Sequence, residues 1–471
     1  MIFLGVDIGT TRTKVLAYDT TSGPAGVTGR PTPVLESPIG DLRDADAVLR
    51  TVVDALGDTV AALTPEQRER VAGVGVTSLS EEVVLLRRDG SPLGPMPTWY
   101  NQSAGRAAAA EAGLDPSFSW AKLRWAFDEL GSASGAFPGA TPSDVAVITT
   151  LSGYVVDRLA GAGAYAVDHS HASRTGFFGL REARWSVEDF ERTGWPASAL
   201  PPLVPTGSTV GPLDPALAGR MGLPVTTSVV IAGHDHFCGA YGIGVRGDGE
   251  LYVSAGTSEA HCLIVDELPD GPLPAEVGVG RFVDGERFYL HRQLPSGHLY
   301  RHWRGLLGLT GQTPEEESAA LAAHPVGSQG AVLVPGVDTD TRSWLLGLGT
   351  DADGSTVLRA LFEGLGCAAR EIDAELMSIS GRAVTSVMAA GLPCASPVWQ
   401  EIRAHLSPAP MWVSAETEAP ALGAAQLAQR AVTGDGASTQ PSTSLLTTDD
   451  GLVAYRAVYE RFLTLAGSVI R

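Results

Sequence analysis

Residues 229–236, Val-Val-Ile-Ala-Gly-His-Asp-His, lead from a β-rich apolar run through a glycine to one carboxylate between two histidines. A strand ending this way delivers Asp235 to the edge of a sheet, where ligands of α/β proteins lie. A carboxylate placed there is suited to take the proton of a hydroxyl that attacks phosphorus. It is also suited to cap a helix, because Phe237–Ile243 is small and apolar. Both roles can hold at once.

Two further phrases have the composition of phosphate-binding turns. Asp7-Ile-Gly-Thr-Thr-Arg-Thr-Lys14 sets Gly9, Thr10 and Thr11 between two β-runs, Ile2–Val6 and Val15–Tyr18. Backbone N–H groups and hydroxyls at such a tip suit phosphate oxygens. Lys14 adds a point charge, and Asp7 suits a hydrated Mg2+ rather than a phosphate. Ser254-Ala-Gly-Thr-Ser258 repeats the pattern with Gly256 and Thr257. Each turn alone also reads as an ordinary hairpin tip; their likeness strengthens both. Lys14 and Lys122 are the only lysines among 33 Lys and Arg residues, so a lysine beside a glycine turn stands out.

Gly391, shortly before Ser396-Pro-Val-Trp399, makes a strand–glycine–loop–helix phrase. Such a turn lets backbone approach a flat adenine, and it equally fits a plain βα connection. His169 with His171, and His234 with His236, are H-x-H pairs that lack a third zinc-ligand pattern. His236 reads as a hydrogen-bonding partner for substrate or as a strand-end histidine.

These residues need elements to hold them. Asp41–Leu63 has apolar residues at helical spacing. Val71–Thr77 and Val83–Leu86 read as strands around Ser78–Glu82, and Trp99–Ser103 as a polar-aromatic loop. The second half repeats this grammar. Strands are expected at Leu251–Ser254, His261–Val265, Arg281–Val283, Arg287–Leu290, Ala331–Val334, Ser386–Ala390 and Met411–Val413. Helices are expected over Thr356–Ile379, from Pro397 to His405, over Ala421–Arg430, and from about Gly451 to Ile470, after a mobile Thr433–Thr448 connection. The duplication predicts two α/β halves facing a cleft, divided near Gly242–Gly249 into domains 1–243 and 244–471.

Bulk properties agree with two domains. The 471 residues exceed what one hydrophobic core supports. A net charge of −20 leaves no basic stripe for nucleic acid. No apolar run approaches the roughly 20 residues of a membrane span, and the start lacks a basic leader, so no signal peptide is expected. Four scattered cysteines without a C-x-x-C pair point to reduced thiols in the cytoplasm rather than a disulfide framework.

Taken together the motifs resemble the FGGY family of carbohydrate kinases (xylulokinase-, gluconate kinase- and glycerol kinase-like), over essentially the whole chain. Asp7–Lys14 looks like that family's first phosphate motif, Gly233-His-Asp235 like its catalytic motif and Ser254–Ser258 like its second phosphate motif. Gly391 through Trp399, followed by Glu418–Ala425, looks like the adenosine motif and the helix after it. Lys122–Trp125, Asp168–Ser173 and Arg359–Gly364 are lesser matches. The resemblance implies a ribonuclease H-like, duplicated two-domain α/β fold of the actin/hexokinase ATPase type, with an interdomain cleft. It implies phosphorylation of a sugar, polyol or sugar acid with ATP and Mg2+. Asp235 would be the base, and Asp7 with Asp235 would place the metal. Gly9, Thr10, Thr11, Lys14, Gly256 and Thr257 would meet phosphates, and Gly391 and Ser396 the adenosine. Ser80, Glu81, Trp99, Asn101, Asp235 and His236 would face the acceptor.

Departures from the family pattern accompany these matches. Leu392 stands where a second glycine is usual, Glu401 and His405 where Gln and Asp are usual, and Asn101 where a carboxylate is usual. The loop Gly336–Arg342 also lacks the family wording. A pentulose such as xylulose or ribulose is the expected acceptor on family frequency, then gluconate-type acids, which Glu81 would repel. The alternative is a catalytically silent sugar-binding regulator derived from a kinase. An actin-like or chaperone ATPase is disfavoured by the Trp99 loop. A small molecule is the expected partner, with neither nucleic acid nor membrane, and a homodimer is compatible with the sequence.

Overall fold

A computed structural model describes residues 1–130, 136–337, 342–435 and 442–469. Positions 338–341 of the Gly336–Arg342 loop and 436–441 of the expected mobile connection lie outside the described residues. The chain forms two compact units. The first comprises Met1–Gly244 with Gly280–Arg287 and Glu418–Thr439; the second comprises Val245–Val279, Phe288–Thr417 and Gln440–Arg471.

In the first unit a six-stranded sheet orders Thr209–Pro212, Ser228–His234, Val71–Ser78, Ile2–Ile8, Arg12–Asp19 and Gly23–Pro31. Ile2–Ile8 is buried along its whole length, as expected for a strand covered on both faces. One face packs on the helices Ala45–Ala61 and Leu151–Ala160 through Val48, Val52, Tyr154 and Val155. The other packs on the helix Ala419–Thr433, where Phe3, Leu16 and Val230 meet Ala421, Leu422 and Ala425. Asp44 caps Ala45–Ala61 by accepting from the N–H groups of Asp46 and Ala47, so the helix starts later than its apolar spacing alone implies.

Register decides what reaches the sheet edge. Ile8 pairs with Ser78, and Ser78 with His234, in parallel strands. The segments that follow each strand therefore leave from the same edge: the Gly9 turn, Leu79–Glu82 and Asp235.

The second unit's sheet places Phe288–Leu294, Glu259–Val265, Glu250–Ala255, Ser386–Ala390, Met411–Ser414 and Ser442–Ser444 side by side. Glu250–Ala255 runs parallel to Ser386–Ala390 and antiparallel to Glu259–Val265. Its long helix, Gly354–Ser380, starts at a capping box of Asp353 and Thr356, and the last helix is Asp449–Val469. The strand expected at Arg281–Val283 lies earlier, at Gly278–Arg281. The chain turns just after it because Asp284 Oδ1 accepts from the N–H groups of Glu286 and Arg287. Among the described residues no helix is long and apolar enough to cross a membrane. All four cysteines are buried and free of disulfides.

Candidate active site

Asp235 is the first residue of the helix Asp235–Gly242. The chain reaches it through Gly233, whose φ is +99°, and a Cβ there would lie 2.5 Å from Ser170 Oγ. Only glycine makes that bend without strain. The His234 N–H then donates to Ser170 Oγ at 3.0 Å. Asp235 Oδ1 accepts from the His236 N–H at 2.6 Å and lies 3.4 Å from His234 Nε2, while 25% of the side chain stays exposed. His234 is the N-cap of this helix and no side chain caps it, so Asp235 does not take the capping role and stays an accessible carboxylate. Burial pushes the Asp235 pKa up to about 6; the His236 N–H and His171 oppose this, and Glu81 and Glu82 add to it.

Asp7 is 9% exposed, and its Oδ1 accepts no hydrogen bond. Burial raises its pKa well above the usual carboxylate range, the charge of Asp235 adds to this, and Lys14 opposes it. Two mutually repelling carboxylates, one with an unsatisfied buried oxygen, suit a divalent cation. Among the described residues no group of three or more His, Cys, Asp and Glu is placed to hold a metal. Mg2+ here would therefore draw on one or two carboxylates plus waters and phosphate oxygens, which is its ordinary habit.

The first turn is held by its neighbours. The Gly9 N–H donates to Arg12 O at 3.1 Å, and Thr32 Oγ1 donates to Gly9 O at 2.9 Å. Thr10 Oγ1 accepts from Trp99 Nε1 at 3.0 Å, and Thr11 is exposed. Lys14 Nζ lies 2.7 Å from Glu418 Oε2, so its charge is matched inside this unit.

In the Leu79–Glu82 segment, Ser80 Oγ is buried without a hydrogen bond. Glu81 has φ +65° and takes a 2.6 Å hydrogen bond from Arg174 Nε. Glu82 accepts from Arg43 at 2.9 and 3.2 Å and from the Trp99 N–H at 3.1 Å. Burial first, then the Arg174 charge, pushes His236 down to about 4, so it is neutral at physiological pH. Asn101 donates to Asp41 O at 3.1 Å and accepts from Ser103 Oγ at 2.7 Å. Both ends of its amide therefore hold the Trp99 loop in shape.

Several residues around this edge receive no site role from the sequence. His171 Nδ1 meets Asp168 Oδ1 at 2.5 Å, and its Nε2 lies 3.1 Å from Ser78 Oγ. Burial opposes it, yet His171 with the Ser170 and Thr206 hydroxyls holds Asp168 down at about 2. Lys122 Nζ donates to Ser117 O at 2.6 Å; burial lowers its pKa to about 8 against the pull of Glu81 and Glu82. The signals for these residues were the Asp-His-Ser-His run and the rarity of lysine. Arg43 and Arg174 carried no signal of their own.

The second unit gathers the other candidates. Gly256, Thr257 and Ser396 line a cavity of about 1100 Å3 whose walls include Tyr300, Phe362 and Trp399. The Gly256 N–H donates to Ser258 O at 3.0 Å, which closes the turn. Gly391 has φ +119°, and a Cβ there would fall 1.8 Å from Ala255 O, so the loop passes directly against the strand that leads into the turn. Ser396 Oγ caps the helix Pro397–Leu406 by accepting from the Trp399 N–H at 3.4 Å. Leu392 also lines the cavity and is 91% exposed. Glu401 and His405 turn to other work. Glu401 accepts from Tyr455 Oη at 2.8 Å, and His405 stacks on the Tyr455 ring at 5.2 Å, which fastens the last helix.

Under the second turn lies a buried charge cluster. Glu259 Oε1 accepts from Arg403 and from His261 Nε2 at 3.0 Å, and His261 Nδ1 donates to Asp373 Oδ1 at 2.6 Å. Burial opposes it, but Arg403 and His261 hold Glu259 at about 2; against burial, Asp373 and Glu259 raise His261 to about 9.

Comparison with known proteins follows the same lines. Residues 2–242 match the FGGY family of carbohydrate kinases, N-terminal domain, and residues 251–432 its C-terminal domain. A glycerol kinase of Alkalilimnicola ehrlichii is 25% identical over 99% of this chain and 99% of its own. An apulose kinase of Pectobacterium atrosepticum is 25% identical over 90% of this chain and 88% of its own. Among solved structures, that of a xyloylose kinase from Brucella ovis has a TM-score of 0.88 at 22% identity, covering 100% of this chain and 99% of that one.

Proposed function

The chain belongs to the FGGY family of carbohydrate kinases, and we propose that it transfers the γ-phosphoryl group of ATP to a hydroxyl of a pentulose such as xylulose or ribulose, with Asp235 as general base. As a family member it is an ATP-dependent sugar or polyol kinase; the pentulose and the residue roles are our own assignment. One observation carries it: Asp235 stands at a strand end with its pKa raised to about 6, beside a buried carboxylate, Asp7, that has an unsatisfied oxygen.

A base of this kind accepts the hydroxyl proton as the oxygen bonds to phosphorus and the bond to ADP breaks. His236, neutral, and Glu81 are assigned to orient the acceptor. Gly9, Thr10, Thr11 and Lys14 are assigned to phosphate oxygens, as are Gly256 and Thr257. Gly391 supplies backbone beside the base of ATP, and Ser396 holds the helix that follows. Asp7 and Asp235 would hold Mg2+, which when bound neutralises phosphate charge. In the same reading 1–243 carries the acceptor site and 244–471 the nucleotide's base, and the enzyme works in the cytoplasm, where its cysteines stay reduced.

The test is ADP release from purified protein with ATP, Mg2+ and a panel of ketoses, polyols and aldonates. Asp235→Asn should lower kcat by about 100- to 10,000-fold. Full activity in that variant would refute the assignment of the base.

A further inference from the structure

The strand Ile2–Ile8 turns one face to the helix Ala419–Thr433, and Phe3 on that strand and Leu16 on the next mark the face. Side chains alternate across a strand, so Phe3, Gly5 and Asp7 share this face, as do Leu16 and Lys14 on Arg12–Asp19. Gly5 lets the helix come close: a Cβ there would lie 1.8 Å from Ala421 O. The helix therefore starts directly over the two strands, and Glu418 is the residue just before it. All of these residues belong to the first unit.

Asp7 and Lys14 are register partners across the two antiparallel strands. Opposite charges so placed ordinarily attract each other across the pair. Here the lysine goes elsewhere. Its ammonium lies 2.7 Å from Glu418 Oε2, while Asp7 Oδ1 is buried and accepts no hydrogen bond. Asp235 and Glu418 add negative charge at Asp7, and Lys14 opposes it. The side chains of Lys14 and Glu418 are 29% and 18% exposed, so the ammonium has room to move between the two carboxylates.

A buried carboxylate oxygen without a partner is costly, and a lysine seated on it would remove that cost. It would also cover the oxygen that a hydrated cation needs. Mg2+ gives up its waters reluctantly and binds through one or two carboxylates, so a carboxylate already taken by an ammonium is a poor partner for it. Glu418 gives Lys14 another place to sit.

We propose that Glu418 is a positioning residue that holds Lys14 off its cross-strand neighbour, so that Asp7 stays available to a divalent cation. Without the Glu418 charge, Lys14 settles on Asp7 and competes with the metal. This deepens the kinase reading above and rests on it for the metal's place at Asp7. Glu418 acts through Lys14 and takes no part in the metal's own set of ligands.

Two measurements test this, and the first needs neither nucleotide nor turnover. In the wild-type background Asp7→Asn should raise the melting temperature at pH 7, because an unsatisfied buried carboxylate is removed. In Glu418→Gln, where Lys14 has moved onto Asp7, the same change should lower it. The second measurement reads Mn2+ held by the protein with ADP saturating, by electron paramagnetic resonance. Glu418→Gln should weaken Mn2+ binding at least tenfold. Lys14→Met in that variant should restore at least fivefold, a larger gain than it makes in the wild type. Loss of a metal ligand, or a site merely loosened, would not be repaired by removing Lys14. Asp7→Asn acting with the same sign in both backgrounds, Mn2+ affinity unchanged in Glu418→Gln, or no restoration by Lys14→Met would each overturn the proposal. A reversed sign in the first measurement, with neither ADP nor Mn2+ bound by the wild type, would instead count against the kinase reading alone.

Discussion

The strand pair Ile2–Ile8 and Arg12–Asp19, in the first unit, and the pair Glu250–Ala255 and Glu259–Val265, in the second, share one construction. Each is antiparallel around a Gly-Thr turn, and each has a parallel neighbour on its first strand. They differ in the buried carboxylate beside the turn. Asp7 keeps an oxygen with no hydrogen bond and a raised pKa. Glu259 is bonded to Arg403 and His261 and sits at about 2. A buried charge without partners costs stability and favours a ligand that supplies them. A buried charge with all its partners stiffens what it joins. The first turn thus sits beside a carboxylate with bonding capacity to spare, and the second beside one bonded into a brace under a cavity.

Breaking the brace should have the largest effect on stability. Glu259→Gln leaves Arg403 and His261 facing one carboxylate, Asp373, and should cost about 3–5 kcal/mol, read as a lower melting temperature. A change under 1 kcal/mol would show that the cluster holds nothing together. The sign with pH follows from a depressed pKa. The Glu259 contribution is present above its ordinary range near 4.5 and is lost as pH falls toward about 2.

The open side should respond the other way. Asp7 has a raised pKa, so its ionised form penalises the fold increasingly as pH rises above the ordinary carboxylate range and through its folded value. Asp7→Asn should therefore raise the melting temperature at pH 7 while activity collapses. A destabilised Asp7→Asn protein would contradict the account of an unsatisfied charge. Asp235 adds a kinetic counterpart. If it must be ionised to act, kcat/KM should rise with pH, level off above about 6, and drop tenfold for each unit below. A flat profile from pH 5 to 8 would exclude it as the titrating base.

The smallest effect is expected at the rim of the second unit's cavity. Leu392 is 91% exposed, so Leu392→Gly should leave the melting temperature unchanged. It should raise KM for ATP severalfold, the loss of about 1 kcal/mol of apolar cover. An unchanged KM would show that the rim plays no part in holding ATP.

Much of this is legible in the sequence, for a definite reason. Turn glycines, strand ends and helix starts are local, and local spacing reports them, as for Ile2–Ile8, Val71–Ser78 and Pro397–Leu406. The charge partners are not local. Arg403 is 144 residues from Glu259, and Arg174 is 93 from Glu81. No periodicity connects residues so far apart; only the tertiary packing does. Local competition hid other details. The Asn101 side-chain oxygen and the Ser396 hydroxyl are engaged by neighbours within a few residues, which a motif match does not reveal.

The hydrogen bond from the Trp99 indole to Thr10 joins the loop assigned to the acceptor with the turn assigned to phosphate. Neither can be remodelled alone. A loop graft meant to admit a different sugar would carry the phosphate turn with it, so gains in acceptor range in this scaffold should arrive together with altered phosphoryl transfer.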